Sequence, residues 1–188
     1  MAKTNKDAAF GLRAIGKVGQ NRDNQGLGEY SISSGDTTKI FFQDAVSATA
    51  AGTIHQAAAS EAFLLGSLNG VFYTDPTTSK PTFKNYWPGD VAAEATAFVY
   101  DNPDDLFEVQ TSGTLAQTVA SRGNDMAYTA GSTINGRSKE EITGAAVAGG
   151  QFTMIRKSED PSNTDLSTAN SNWIVKFNEH VYYNYTNT

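Results

Sequence analysis

The residues best suited to chemistry are four carboxylates that lie close together in the sequence, Asp101, Asp104, Asp105 and Glu108. Carboxylate oxygens are the ligands that Ca²⁺ prefers, and paired acids about 5–9 Å apart in a cleft hydrolyse glycosidic bonds. The spacing is not that of an EF-hand loop, and the sequence indicates no cleft. Asp and Asn residues beside Pro103 also form turns. We therefore favour a turn-forming role and predict no metal and no cofactor.

Only two histidines, His55 and His180, are available as general bases. A Ser-His-Asp triad needs a histidine held by a carboxylate and within hydrogen-bond reach of the nucleophile. Both histidines lie in strand-like stretches, no Gly-x-Ser-x-Gly motif is present, and the chain has no cysteine. The sequence therefore indicates a binding or structural protein and not an enzyme.

Aromatic residues offer a second kind of site, because exposed rings stack on sugars. The alternative is that Trp87 and Trp173 are core or interface anchors, which we favour. Tyr182, Tyr183 and Tyr185 lie near the C-terminal end of the sequence, where we expect burial to need a neighbour. These three tyrosines are candidate contact residues.

The central stretch of the chain predicts an antiparallel hairpin. Ala95–Tyr100 and Leu106–Gln110 have strand-like composition, and in the second segment Phe107 and Val109 alternate with polar residues. Asn102-Pro103 predicts a turn between them, because proline fixes φ and pushes the preceding residue into extended conformation.

Most other signals are strands of four to eight residues between Gly-, Pro-, Asn-, Asp- and Ser-rich turns, with Gly70 at an expected bulge. There is no alternation of strands and helices. The pattern predicts an all-β fold, a single antiparallel β-barrel or sandwich domain over residues 29–188.

Residues 1–28 predict an extended N-terminal arm, since they are rich in glycine and lack a helical or strand period. Residues 1–22 hold five bases and one acid, a net +4, which leaves −10 on the remainder of a chain whose total is −6. An arm of this kind docks either on its own domain or on a partner. The acidic domain would repel nucleic acid.

No apolar run is long enough to span a membrane, and residues 1–10 lack the apolar region of a secretory signal. We therefore expect synthesis in the cytoplasm of the producing cell, with release only by lysis.

An ordered set of short motifs carries a resemblance to a known family. An aromatic-Trp-Pro-Gly corner at 86–89 precedes AFVYDNPDDLFEVQ at 97–110 and Gly113-Thr114, with Phe10-Gly11-Leu12-Arg13, Gly136-Arg137-Ser138 and Lys176-Phe177-Asn178-Glu179-His180 in the same order. Over roughly residues 8–182 the chain resembles the capsid decoration, or cement, proteins of tailed phages. Ala14 stands where that family usually has proline, and Gln43-Asp44 replaces its Gly-Asp.

The resemblance implies a structural virion protein on the capsid exterior, made in the host cytoplasm. It would bind the major capsid protein, bridge its subunits and form a homo-oligomer, a trimer or a dimer, with no nucleic acid or membrane partner. We predict that Phe10, Leu12 and Ile15 insert into a groove made with a capsid subunit or a second copy. The full set of predicted contact residues is Phe10, Leu12, Arg13, Ile15, Lys17, Tyr182, Tyr183 and Tyr185. The alternative function is a carbohydrate-binding or adhesin-type head-fibre module.

Overall fold

The computed structural model describes residues 4–19, 26–59, 61–90, 92 and 94–183. In these residues the chain forms β-strands and one short 3₁₀ turn over Gln117–Val119. The strands are β1 (Arg13–Lys17), β2 (Gly28–Ser31), β3 (Ala45–Ala48), β4 (Ile54–Gln56), β5 (Gly66–Thr74), β6 (Pro81–Lys84), β7 (Ala95–Tyr100), β8 (Asp105–Gln110), β9 (Gly123–Ala127), β10 (Glu141–Val147), β11 (Phe152–Lys157) and β12 (Asn172–Phe177). In this part of the chain, no helix has the length and apolar character needed to cross a bilayer.

The first sheet has the strand order β1-β8-β12-β11-β9-β10, and all neighbours are antiparallel. It curls, because a parallel bridge between Thr111 and Ile142 brings β10 back beside the end of β8. Two glycines permit this approach, since a Cβ on Gly113 would lie 2.7 Å from the Cα of Gly144. The inner face of the sheet carries an apolar cluster. Its largest members are Leu12, Phe107, Phe152, Trp173 and Phe177.

The second sheet has the order β2-β7-β5-β3-β4, with β6 paired to β5. The register between β5 and β7 shifts between Leu68 and Gly70, which confirms the bulge predicted at Gly70. A separate apolar cluster lies on the inner face of this sheet. It includes Ile40, Leu65, Leu68, Val71, Tyr73, Trp87 and Val99.

The two sheets pack as a sandwich, which confirms the predicted all-β antiparallel fold. Hydrogen bonds from one sheet to the other fasten them together. Ser67 in β5 donates its hydroxyl to the Leu12 carbonyl at 2.8 Å, and the Ala45 N–H of β3 donates to the Glu140 carboxylate at 2.7 Å.

The predicted central hairpin is wrong, although both strands and the turn between them exist. The Asp105 N–H donates to the Asn102 carbonyl at 2.9 Å, so the chain does turn at Asn102-Pro103. However, β7 pairs with β2 and β5, whereas β8 pairs with β1 and β12. The turn is a crossing between sheets, because the buried face of β7 belongs to the second apolar cluster and that of β8 to the first.

The extended N-terminal arm is not confirmed for residues 4–19. Strand β1 adds to the edge of the first sheet, with Arg13 opposite Glu108 and Lys17 opposite Asp105. Gly11 has a φ of 77° and lets the chain turn so that Leu12 enters the core with 1% of its surface exposed. Counting apolar residues alone missed the backbone pairing with β8. The other two parts of the predicted arm, 1–3 and 20–25, lie outside the described residues.

Candidate functional site

The acidic turn between β7 and β8 holds its carboxylates through separate partners. Asp101 accepts a hydrogen bond of 2.5 Å from the Tyr30 hydroxyl. Asp104 accepts from the Lys176 ammonium at 2.8 Å and from the Tyr183 hydroxyl at 2.9 Å. The Lys176 hydrogen bond is the main cause that lowers the pKa of Asp104. Asp101 and Asp104 therefore anchor the segments that carry Tyr30, Lys176 and Tyr183.

The next two carboxylates along the chain are buried and face β1. Burial raises the pKa of Asp105 to about 6, and Lys17, 3.9 Å away, partly offsets that effect. Glu108 is ion-paired with Arg13 and accepts a hydrogen bond of 2.5 Å from the Ser158 hydroxyl. Among the residues that the structure describes, no three His, Asp or Glu side chains converge in a way that could hold a metal ion. The geometry therefore gives the calcium interpretation no support.

The two histidines have different environments. His55 is in β4 with its Nε2 3.7 Å from the Glu61 carboxylate. His180 is buried, its Nδ1 accepts from the Tyr182 N–H at 3.1 Å, and its Nε2 lies 2.8 Å from the Leu65 carbonyl. The acceptor role of Nδ1 assigns the proton to Nε2. Burial lowers the pKa of His180, so the neutral ring fastens the C-terminal segment to the second sheet.

Both tryptophans are buried in the two apolar clusters. Trp87 and Trp173 have no exposed surface, and their indole N–H groups donate to the Asp36 carbonyl and the Ser171 hydroxyl, each at 3.1 Å. This agrees with the prediction that they are anchors. Neither can stack on a sugar in this structure.

Some of the predicted contact residues converge at the acidic turn. The Val18 N–H donates to the Asp104 carbonyl at 2.9 Å, which places the end of β1 beside the turn. Tyr183 reaches the same aspartate, and Tyr182 contacts the Tyr30 hydroxyl. Tyr182 and Tyr183 are each about half exposed. We call the surface formed by Lys17, Val18, Asp104, Lys176, Tyr182 and Tyr183 the turn face. Tyr185 lies outside the described residues.

The remaining predicted contact residues lie elsewhere on β1 or just before it. Phe10 is half-buried, with the Arg13 guanidinium 4.8 Å from the centre of its ring. Ile15 is 44% exposed. Leu12 lies inside the core of its own domain, so in this structure it is not free to enter a groove on a partner. The prediction that Leu12 inserts into a partner's groove is therefore wrong for this structure, because the turn at Gly11 directs the side chain into its own core.

Sequence reasoning missed an exposed aromatic patch on the outer face of the second sheet. Phe72 on β5 is directly opposite Phe83 on β6, and the two side chains are 47% and 57% exposed. The Phe98 ring on β7 lies 6.2 Å from that of Phe83. Strand alternation could have revealed it, since Phe72 must point away from Val71 and Tyr73. We call Phe72, Phe83 and Phe98 the phenylalanine patch.

A buried carboxyl pair between the sheets was also missed. Asp44 accepts hydrogen bonds of 2.7 Å from the Phe41 N–H and from the Gln56 amide, and that amide is 3.5 Å from Glu140. Burial is the main cause that raises the pKa of both carboxyls, and the Asp44 charge raises that of Glu140 further. The two acids lie 96 positions apart, so no local sequence pattern reveals the pair.

Comparisons with family models, with curated proteins and with solved structures found no match.

Proposed function

We propose that this chain is a structural virion protein that binds the outer surface of an assembled phage capsid and stabilises it by bridging major capsid protein subunits. The observation that carries the proposal is the phenylalanine patch. Phe72 and Phe83 expose about half of their surfaces side by side on the outer face of a hydrogen-bonded sheet. Contiguous exposed apolar surface of this kind marks a protein interaction site.

The identity of the partner rests on the sequence resemblance over residues 8–182. The net charge of −6 supports a place on the exterior of the shell, since a protein that faces packaged DNA is normally basic. The turn face offers a second contact surface, because Tyr182 and Tyr183 combine large apolar rings with hydroxyls. A protein with two such surfaces can touch neighbouring subunits at once.

The mechanism we propose is multivalent clamping without covalent chemistry. Each contact is modest, but a second contact on a shared lattice forms at high effective concentration. A protein that binds the assembled shell and not its free subunits stabilises the shell by mass action.

The carbohydrate-binding alternative has weaker support from the geometry. Both tryptophans are buried. The rings of Phe83 and the half-buried Phe98 are tilted by 47° to each other and carry no hydroxyl that could bind a sugar. A patch of phenylalanines without coplanar rings suits a protein surface better.

The test uses phage heads that have been stripped of this protein. The full chain should sediment with expanded heads and should not bind free capsid subunits. The double variant Phe72→Ser/Phe83→Ser should lose most of the binding, whereas Ile134→Ser, which alters a 97% exposed residue in a loop, should bind as the parent does. Equal affinity for free subunits, or full binding by the double variant, would contradict the proposal.

A further inference from the structure

We infer that a pocket beside the start of β1 binds a single carboxylate or phosphate group. The pocket has a volume of about 240 Å³ and lies between residues 8–13, Gln43 and the loop 132–139. Three bases line it, Arg13, Arg137 and Lys139, and among the described residues no carboxylate does. Such a lining stands out in a chain with a net charge of −6. We call this cavity the basic pocket.

Backbone hydrogen bonds hold the walls of the basic pocket in place. The Leu12 N–H donates to the Gln43 carbonyl at 2.8 Å. Phe42, next to Gln43, holds the loop 132–139. Its N–H donates to the Gly136 carbonyl at 2.8 Å, and its carbonyl accepts from the Ser138 N–H at 2.9 Å. Groups fixed before binding lose little conformational entropy when a ligand arrives.

Arg13 is oriented by two contacts that leave part of its guanidinium free. One Nη atom pairs with Glu108, and the guanidinium lies over the Phe10 ring. The Arg13 side chain is still 48% exposed. A guanidinium has five N–H donors in a planar fork, so several remain for an oxyanion.

Arg137 and Lys139 supply charge that the described part of the chain does not neutralise. Both residues are exposed, and neither takes part in an ion pair among the described residues. Like charges that converge on a concave surface repel one another and attract a counter-ion. An oxyanion in the basic pocket would relieve that repulsion.

Gln43 adds neutral hydrogen-bonding capacity to the same wall. Gln43 lines the pocket with only 7% of its surface exposed, and its buried Oε1 has no partner among the described residues. Buried amides are normally hydrogen-bonded. The amide can accept from a protonated phosphate oxygen, or donate through its NH₂ group to an anion.

Size and charge define the class of ligand. Sites for drug-sized ligands have volumes of about 300–1,000 Å³, so a smaller pocket suits one ionised group. The acidic surface of the molecule opposes long polyanions. Carboxylate and phosphate share the required chemistry, and the group can come from a free small anion or from an acidic side chain of a partner protein.

The test is an NMR titration of the full chain at constant ionic strength. The probes are sodium phosphate, sodium acetate and the blocked peptide acetyl-Gly-Glu-Gly-amide, with its glutamine counterpart as the neutral control. We expect saturable shifts in the amides of residues 132–139. Arg137→Gln/Lys139→Gln should weaken the binding at least about tenfold, because charge-assisted hydrogen bonds are lost. The control variant Lys80→Gln/Arg156→Gln removes the same charge from exposed positions elsewhere and should bind as the parent does.

The probes separate the two sources of the anion. Saturation by phosphate or acetate indicates a free anion, whereas saturation by the glutamate peptide alone indicates a protein carboxylate, and either result supports the site. The single variant Lys139→Gln serves as a second test if the double variant does not fold. Absence of a saturable response to every probe, or equal weakening in the control variant, would overturn the inference. None of these outcomes depends on whether the chain binds a capsid.

Discussion

At the scale of single residues, the carboxyl pair Asp44 and Glu140 is the feature most sensitive to solution conditions. Burial raises the pKa of Asp44 to about 7, whereas a carboxyl in an unfolded chain has a pKa of about 4. Between these pH values the native protein keeps a proton that the unfolded chain has lost. The pair therefore favours the folded state in acid, and this advantage disappears as the pH rises through about 7.

We predict that Asp44→Asn flattens the dependence of stability on pH. Asparagine keeps an oxygen for the Phe41 and Gln56 donors but cannot ionise. The difference in free energy of unfolding, variant minus parent, should increase by roughly 2 kcal/mol from pH 5 to pH 8. Urea unfolding at several pH values measures this. Glu94→Gln, which alters an exposed carboxyl, is the control, and parallel curves for parent and Asp44→Asn would contradict the prediction.

At the scale of elements, strand β1 contributes to stability and presents a surface at the same time. Leu12, just before the strand, is buried, while Ile15 within it is 44% exposed. The sequence predicted an extended arm here and contact residues within it. The structure instead pairs the segment with β8 and forms an ion pair between Arg13 and Glu108.

Two substitutions three positions apart, at Leu12 and Ile15, test which of these side chains stabilises the fold. Leu12→Ala should lower the free energy of unfolding by about 2–5 kcal/mol, as for other buried leucines. Ile15→Ala should change it by no more than about 0.5 kcal/mol, because 44% of the surface of Ile15 is already exposed to solvent. Thermal and urea unfolding measure both. Similar losses for the two variants would mean that Ile15 is also buried in solution.

The central hairpin shows at the same scale what local patterns lack. The alternation in Phe107 and Val109 correctly predicted a strand, and Asn102-Pro103 correctly predicted a turn. Alternation states which residues face the core but not which sheet that core belongs to. Glu108 and Gln110 show what alternation cannot predict, since both polar side chains are buried by contacts with segments distant in sequence.

At the scale of the whole molecule, contacts between the sheets join the two apolar clusters. Ala45 belongs to the second sheet yet packs in the first cluster, and its N–H donates to Glu140. The chain has two tryptophans, one in each cluster. Each can therefore report on one half of the sandwich.

We predict that Trp87→Phe and Trp173→Phe variants each unfold in a single transition seen alike by the remaining tryptophan and by circular dichroism. Coincident transitions with different probes are the mark of two-state unfolding. The measurement is urea unfolding followed by fluorescence and far-ultraviolet circular dichroism on the same samples. Midpoints that differ between the two signals would show that the sheets unfold separately.

Across the molecule, the fold class was predictable, whereas the surfaces that matter for binding were largely not. Short strands between turn residues sufficed for an antiparallel all-β fold. The basic pocket joins Arg13 to Arg137 and Lys139, and the carboxyl pair joins Asp44 to Glu140, so both depend on strand order. Strand order follows from which side chains fill one core together, and that information is not local in the sequence.

The strand order also bears on how the chain folds during synthesis. The second sheet is built from β2 to β7, a continuous stretch of chain, so it can form as soon as β7 has left the ribosome. The first sheet cannot, since β12 lies between β8 and β11 and closes the sheet last. Until then β1 has no complete sheet to join, and its pairing spans a large sequence separation, which slows folding. During synthesis the second sheet therefore forms first, while β1 lacks a complete sheet until β12 has been made. In that interval the unpaired edge of β8 is the point most open to misassociation.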